Sequence, residues 1–319
     1  MSAAVEMGEI GELGRALGGL RWVQGPGGNV SIKDGGELLV KASGVRLSDV
    51  GHAYARVPLA DAQLATAGDP GADARVFAIK PRPSLETYFH AIGPRVVAHT
   101  HALGVLLSAC ASEPPVDLGV DRVPYERPGR GIALAVEPLL ELLPEDGVRA
   151  VVLESHGLIV YAPSVAAAVA KTRAVDAAAR APFGDLPSID DFHAEYTKEA
   201  EREVPGGFAR PLPSRPSHAR YLFPDAVVYA GVIHVDAADD TAAARALVTI
   251  PRPAVLVDGA RRRLVVASTR EKLAFAVEVC AAHDWLEDAL APRGLARYLP
   301  DDEPAKILDL PSEQYRLRL

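Results

Sequence analysis

Apolar residues at Ile10, Leu13 and Leu17 recur at helical spacing, and GPGG at 25–28 stops that run. NVSIKD-GG-ELLVKAS then alternates apolar and polar positions across a Gly-Gly pair, which predicts a β-hairpin. Pro83-Ser84 opens a predicted helix through LETYFHAI, ended by Gly93-Pro94. RVVAHTH reads as a buried strand and GVLLSACA as the helix after it. Another helix is predicted over 130–143. RAVVLESHG reads as a second buried strand ending in histidine and glycine, and SVAAAVAKTRAVDAAAR as a long Ala-rich helix. The texture then changes to clustered proline and glycine, in APFGDLPSIDDF and VPGGFARPLPSRPS. Beyond it, DAVVYAG, PAVLVDG and RLVVAS predict short strands, and STREKLAFAVEVCAAHDWLEDAL an amphipathic helix. The organisation expected is a domain over 1–182, a Pro/Gly-rich linker over 183–216 and a small α/β extension over 217–319.

Composition narrows the class. Of 319 residues, 49% are hydrophobic, enough for a sizeable core. The formal charge of −8 gives no overall attraction to nucleic acid or an anionic membrane, so an anionic substrate has to be held by local groups. Cys110 and Cys280 both lie in apolar patterns and make no disulfide framework. The first twenty residues carry glutamates and no basic leader region, and no apolar run reaches the length of a membrane span. A cytoplasmic protein is expected.

The chemistry concentrates in a few stretches. His99 and His101 are two apart at a strand end, so their side chains share one face. His156, in ESHGL, ends the other buried strand. Three protein ligands with an open position make a catalytic zinc arrangement, although the spacing alone equally suits exposed or satisfied core histidines. His52, His90, His193, His218, His234 and His283 lack this setting and read as structural. Glu86 is expected in a first helical turn, where a glutamate often only complements the helix dipole, but Lys80, Arg82 and Ser84 bunch just before it. GPGGNVSI adds a glycine loop with Asn29 and Ser31 as donors, and KASG, Lys41 to Gly44, adds a cation, a hydroxyl and a glycine. Together they suggest a phosphate or carboxylate pocket. Neither a Walker loop nor GxGxxG is present, which argues against nucleotide binding.

In this order GGNVSI, KASG, PSLE, HTH and SHG resemble the class II aldolase/adducin family over roughly residues 8–180. The resemblance implies a three-layer α/β/α fold around a central mixed, largely antiparallel sheet, assembled as a homotetramer with sites between subunits. It implies a divalent cation, usually Zn2+ (or Mn2+, Co2+ or Mg2+), on His99, His101 and His156, with Glu86 as the acid/base. It implies phosphate contacts from Asn29, Ser43, Gly44 and Ser84. Tyr125, in VPYERPG, is either a proton donor to a neighbouring subunit's site or a turn-packing residue. The activity implied is a lyase that cleaves or forms a carbon–carbon bond in a ketose phosphate through a metal-bound enediolate. Sugar-phosphate 4-epimerisation and keto-acid-phosphate decarboxylation suit the same scaffold. A metal-free adducin-like scaffold is the alternative of another class, and the intact histidine set stands against it. Two departures stand out. Leu85 occupies the place of a second serine in fuculose-phosphate aldolases, and Lys41 and Arg82 either offset it or signal a carboxylate substrate. The C-terminal hundred residues resemble the tail of longer family members; packing or oligomer contact is the expected role, and Tyr315, Arg316 and Arg318 at its end either fold over a neighbouring pocket or fray. Because a carboxylate is a weak base at neutral pH unless desolvated, Glu86 is expected to have a raised pKa in the closed site.

Overall fold

The computed structural model describes residues 3–215 and 220–310; His218, Tyr315, Arg316 and Arg318 lie outside the described residues. Two compact units divide the chain, Met1–Gly184 and Asp185–Leu319.

In the first unit the Ile10, Leu13 and Leu17 stripe forms helix α1 (Ala3–Leu17), fully buried along that face. The expected hairpin forms from β1 (Asn29–Asp34) and β2 (Glu37–Lys41), in register from Asp34–Glu37 to Ser31–Val40. Gly35 and Gly36 both take positive φ, which a two-residue turn of this hand demands. Strand β3 (Tyr54–Pro58) and helices α2 (Leu59–Ala67), α3 (Pro70–Ala78) and α4 (Thr87–Ala91) follow. Then come β4 (Val96–Thr100), α5 (Leu103–Ala109), β5 (Asp121–Val123) and α6 (Arg130–Val136). β6 (Arg149–Leu153), β7 (Gly157–Ala162) and α7 (Val165–Arg180) complete the unit.

The seven strands lie in the order β3-β2-β1-β4-β7-β6-β5, and every pair is antiparallel except β5 with β6. Leu38, Val40, Ala55 and Val57 pack one face against α2, α3 and α4, and Val97, Val151, Ile159 and Tyr161 pack the same face against α4 and α6. Helices α1, α5 and α7 cover the other face. This is the expected three-layer arrangement around a mixed, largely antiparallel sheet. Three local readings change. Glu86 takes the position just before α4, without a capping bond, instead of lying inside the helix. The helix predicted over 130–143 ends as α-helix at Val136, and Pro138 carries the chain into a single 3-10 turn over Glu137–Leu140. ESHG does not end a strand but turns β6 into β7, because GLIVYA supplies a second apolar run straight after it.

The second unit begins inside the expected linker. Residues 183–216 contain α8 (Ile189–Thr197), β8 (Arg202–Val204) and β9 (Gly207–Leu212), so the linker expectation is corrected. Its prolines and glycines serve turn chemistry: Pro205-Gly206 joins β8 to β9, with Gly206 at φ 90°. Pro211 is tolerated in β9 because β8 pairs only as far as Ala209, leaving that side of the strand open. Next come α9 (Pro224–Tyr229), β10 (Val232–His234), α10 (Asp240–Thr249), β11 (Ala254–Val257), β12 (Arg263–Ala267), α11 (Arg270–Leu290) and α12 (Glu303–Leu308). DAVVYAG, expected as a strand, is helical because Pro224 pre-sets the first helical position, while Asp225 suits the dipole. The second sheet runs β10-β11-β12-β9-β8. No helix among the described residues is long and apolar enough to cross a membrane.

A buried charge cluster anchors α11. Asp284 Oδ2 accepts from Arg263 Nη1 at 2.6 Å and from the Tyr196 hydroxyl. Burial pushes the Asp284 carboxyl up, but Arg263, His283 and Tyr196 outweigh it and hold the group well below the ordinary carboxylate range. A depressed folded pKa contributes stability above the unfolded value, which drains away as pH falls towards the folded one. Asp284→Asn is therefore expected to lose about 3–5 kcal/mol at neutral pH, since Arg263 is left buried opposite an uncharged amide. Calorimetry at pH 7 and pH 3 should show the gap between variant and parent narrowing at the acid end. An unchanged gap would mean that Asp284 is not the titrating contributor.

Candidate metal and acid–base site

The site grows from the centre of the first sheet. β4 lies between β1 and β7, with His99 opposite Asn29 on one side and Ile159 on the other. Alternation puts His99 and His101 on one face and Thr100 on the other. His156 reaches the same face from the β6–β7 turn. That turn is tight: Ser155 has φ 50° and Gly157 φ 155°. A Cβ at Gly157 would lie 2.3 Å from the Thr100 carbonyl oxygen, so only glycine lets β7 run this close beside the histidine strand.

The three imidazoles meet. Their ring centroids are 5.0, 4.9 and 5.4 Å apart, and their ligand atoms all lie within 4.8 Å of one another. All three are buried. His99 Nδ1 lies 3.0 Å from the Leu158 carbonyl, which makes Nδ1 the protonated nitrogen and leaves the Nε2 lone pair facing inward. Burial, against a weaker opposing pull from Glu86, drives His99 down to about 3, so the ring is neutral at pH 7. His101 Nε2 is 3.1 Å from His99 Nε2. Nitrogens bound tetrahedrally to zinc at about 2.0–2.1 Å stand roughly 3.3 Å apart, close to this spacing.

Glu86 completes the group. Its side chain makes no capping bond to α4. Oε2 accepts from Asn29 Nδ2 at 2.7 Å and lies 3.7 Å from His99 Nε2, and Oε1 lies 3.3 Å from His156 Nε2. Oε1 is buried with no hydrogen-bond donor among the described residues. A carboxylate oxygen and imidazole lone pairs facing one another repel unless a proton or a cation sits between them, so this donor set fits a divalent ion. The expected raised pKa of Glu86 is corrected. Burial pushes the carboxyl up, but His99, His156, His101 and the Asn29 amide together hold it below its ordinary value. The Asn29 amide favours the carboxylate directly, and the imidazoles favour it through the proton or cation they share with it.

The anion-binding candidates form the adjoining rim. Ser43 N–H donates to the Arg82 carbonyl at 2.8 Å and Ser84 N–H to the Lys41 carbonyl at 3.0 Å, stitching KASG to PRPS. This brings Ser43, Gly44 and Ser84 beside Asn29, whose Nδ2 also reaches Ser84 Oγ at 3.2 Å. Gly44 has φ 79°. Lys41 is built into the frame: its ammonium donates to the Pro26 and Val45 carbonyls at 2.9 and 2.7 Å, tying the two glycine loops together. The Arg82 guanidinium lies over the Phe77 ring, 5.4 Å from its centroid. Tyr125 stands half-buried in the coil after β5.

The sequence matches the family described as Class II Aldolase and Adducin N-terminal domain over residues 8–182. The chain belongs to the class II aldolase and adducin family. A search of curated proteins returns no match. Among solved structures, the chain is similar to the N-terminal class II aldolase domain of a conserved Thermoplasma acidophilum protein (24% identity, TM-score 0.48, covering 57% of this chain and 95% of that one). It is also similar to L-fuculose-1-phosphate aldolase from Thermus thermophilus (22%, 0.42, 56% and 92%). A third is YgbL from Klebsiella pneumoniae, described as a putative aldolase/epimerase/decarboxylase (21%, 0.43, 57% and 89%). The family match ends at residue 182, so the second unit lies beyond this class II aldolase module.

One participant escaped sequence reasoning. His90, read as structural, is fully buried, with Nε2 against Asn29 Oδ1 and Nδ1 2.7 Å from Ser31 Oγ. The signal was present in two spacings. Glu86 and His90 are four apart, and Asn29 and Ser31 two apart, so one helix face meets one strand face.

Proposed function

We propose that this class II aldolase-family protein is a divalent-metal-dependent lyase that cleaves or forms a carbon–carbon bond in a ketose phosphate or a related hydroxy-carbonyl compound. The observation that carries the reading is the convergence of His99, His101 and His156 with the Glu86 carboxylate 3.3 Å from His156 Nε2. His99, His101 and His156 would hold the ion, zinc by the all-nitrogen donor set. When bound, such an ion supplies Lewis-acid polarisation of a carbonyl oxygen. Glu86 accepts the proton from, or returns it to, the substrate carbon next to that carbonyl. Asn29 holds the carboxylate, and with Ser84 it lines the rim that receives the substrate's anionic end. Ser43 and Gly44, on the adjoining KASG loop, receive the same anionic end, and that remote contact fixes the reacting carbon beside Glu86. Arg82, whose carbonyl accepts from Ser43 N–H, is the cation assigned to the rim. Tyr125 is assigned as proton donor to the departing aldehyde oxygen by family resemblance alone. A small sugar phosphate is the substrate class, and a homotetramer the assembly, that this reading carries with it.

Incubating the zinc-loaded full chain with ketose phosphates and keto-acid phosphates tests the reading by product. An aldehyde plus a shorter ketone phosphate is expected. An isomer of unchanged carbon count would make the protein an epimerase, and carbon dioxide a decarboxylase. Either result would displace the carbon–carbon lyase.

A further inference from the structure

Four buried side chains form a hydrogen-bonded row with only one consistent polarity. At its end Asn29 Nδ2 donates to Glu86 Oε2 at 2.7 Å, so the amide turns its NH2 towards the carboxyl group. The Asn29 carbonyl oxygen then faces His90 Nε2, which must carry the proton. His90 Nδ1 is left with a lone pair, and the Ser31 hydroxyl donates to it across 2.7 Å. Ser31 and His90 are fully buried, Asn29 is 2% exposed and Glu86 8%, so water does not offer substitute partners.

We infer that His90 is a positioning residue, which through Asn29 aims the Glu86 carboxylate at the three-histidine cluster. An amide can present either end at almost the same shape. Ser84 Oγ accepts from Asn29 Nδ2 at 3.2 Å, but a hydroxyl also donates, so it tolerates a reversed amide. A reversed Asn29 would set its carbonyl against the carboxylate and push Glu86 away. His90 Nε2–H forbids that reversal. Burial, with Lys33, His99 and Lys41 nearby, keeps His90 neutral well below its ordinary pKa, so it holds a single donor and a single acceptor. Asn29 thereby becomes a part of the acid–base apparatus, not only an anion contact. The inference rests on the proposed role of Glu86.

Two measurements on the zinc-loaded full chain decide it. In 15N-histidine-labelled protein, with His90 assigned by comparison with His90→Gln, the ring should show the neutral Nε2–H form. A Nδ1–H form or an imidazolium overturns the inference, whatever the activity. In turnover, His90→Leu is expected to keep its zinc and lose about 10- to 100-fold in kcat, with KM much less affected, as for other residues that orient a ligand or base. His90→Gln, whose amide N–H reaches the place of Nε2, should recover most of the loss. A Leu variant with parental kcat, or one altered only in KM, overturns the inference. Glu86→Gln run beside it separates the two readings: if that variant turns over normally, the role of Glu86 fails and not merely the role of His90. Should His90→Leu fail to fold, the ring spectrum of the parent still settles the polarity.

Discussion

Glu86→Gln is expected to fold with its parental melting temperature, keep its zinc, and lose about 10²- to 10⁴-fold in kcat. Glutamine matches glutamate in shape, and its carbonyl oxygen can still accept from Asn29 Nδ2, which now bonds the carboxylate at 2.7 Å. The three imidazoles do not depend on Glu86 for their placement. His99 is held by the Leu158 carbonyl, and His156 by the β6–β7 turn. What disappears is the capacity to take and return a proton at neutral pH. The size of the loss follows from the role: a positioned acid/base contributes about two to four orders of magnitude, while a merely structural carboxylate at a helix cap is worth about 1 kcal/mol of stability and little rate. Metal analysis and steady-state kinetics on the same preparation check both halves. A variant with parental kcat would remove Glu86 from the chemistry, and loss of zinc alongside loss of rate would make it a ligand.

The first unit was legible because its elements announce themselves locally. The Gly35-Gly36 hairpin, the Ser164 cap of α7 and the buried β4 run are each specified within a few residues, and each forms where the pattern puts it. The histidine pair was legible for the same reason, since strand alternation alone brings His99 and His101 to one face. Its meeting with His156 was not local. It depends on β7 pairing antiparallel with β4 and on a turn that only Gly157 permits, neither of which periodicity reveals. The direction of the Glu86 shift is not legible for the same reason. Burial is readable locally, but the opposing imidazoles and the Asn29 amide come from β4, the β6–β7 turn and β1, far away in sequence. In the second unit, clustered proline and glycine read as linker composition, yet Pro205-Gly206 is the turn of a hairpin whose second strand lies inside the sheet. Composition cannot separate a turn within a sheet from a free connection, because both need the same backbone freedom.

His99→Ala is expected to abolish stable zinc binding. Three imidazoles whose ligand atoms all lie within 4.8 Å of one another make a three-point site with an open position, and two cannot hold the ion against exchange. Residues that only orient a zinc ligand cost about 10- to 100-fold in affinity when removed, so deleting a ligand should weaken binding by at least about 10²-fold. His99 is the most telling of the three because it is fully buried and its tautomer is fixed by the backbone. Its Nε2 is 3.1 Å from that of His101, its ring centroid is 4.9 Å from that of His156, and the Leu158 carbonyl aims its lone pair inward. Zinc content after dialysis should fall from about one ion per chain to near zero. The parental protein should also melt higher with added zinc, because an ion that binds only the folded state stabilises it, and the variant should not respond. His234→Ala, which alters an exposed histidine on β10, serves as the control and should keep both zinc and the melting response. Full zinc occupancy in His99→Ala would mean that the imidazoles meet for packing alone, and the lyase proposed here would lose its metal.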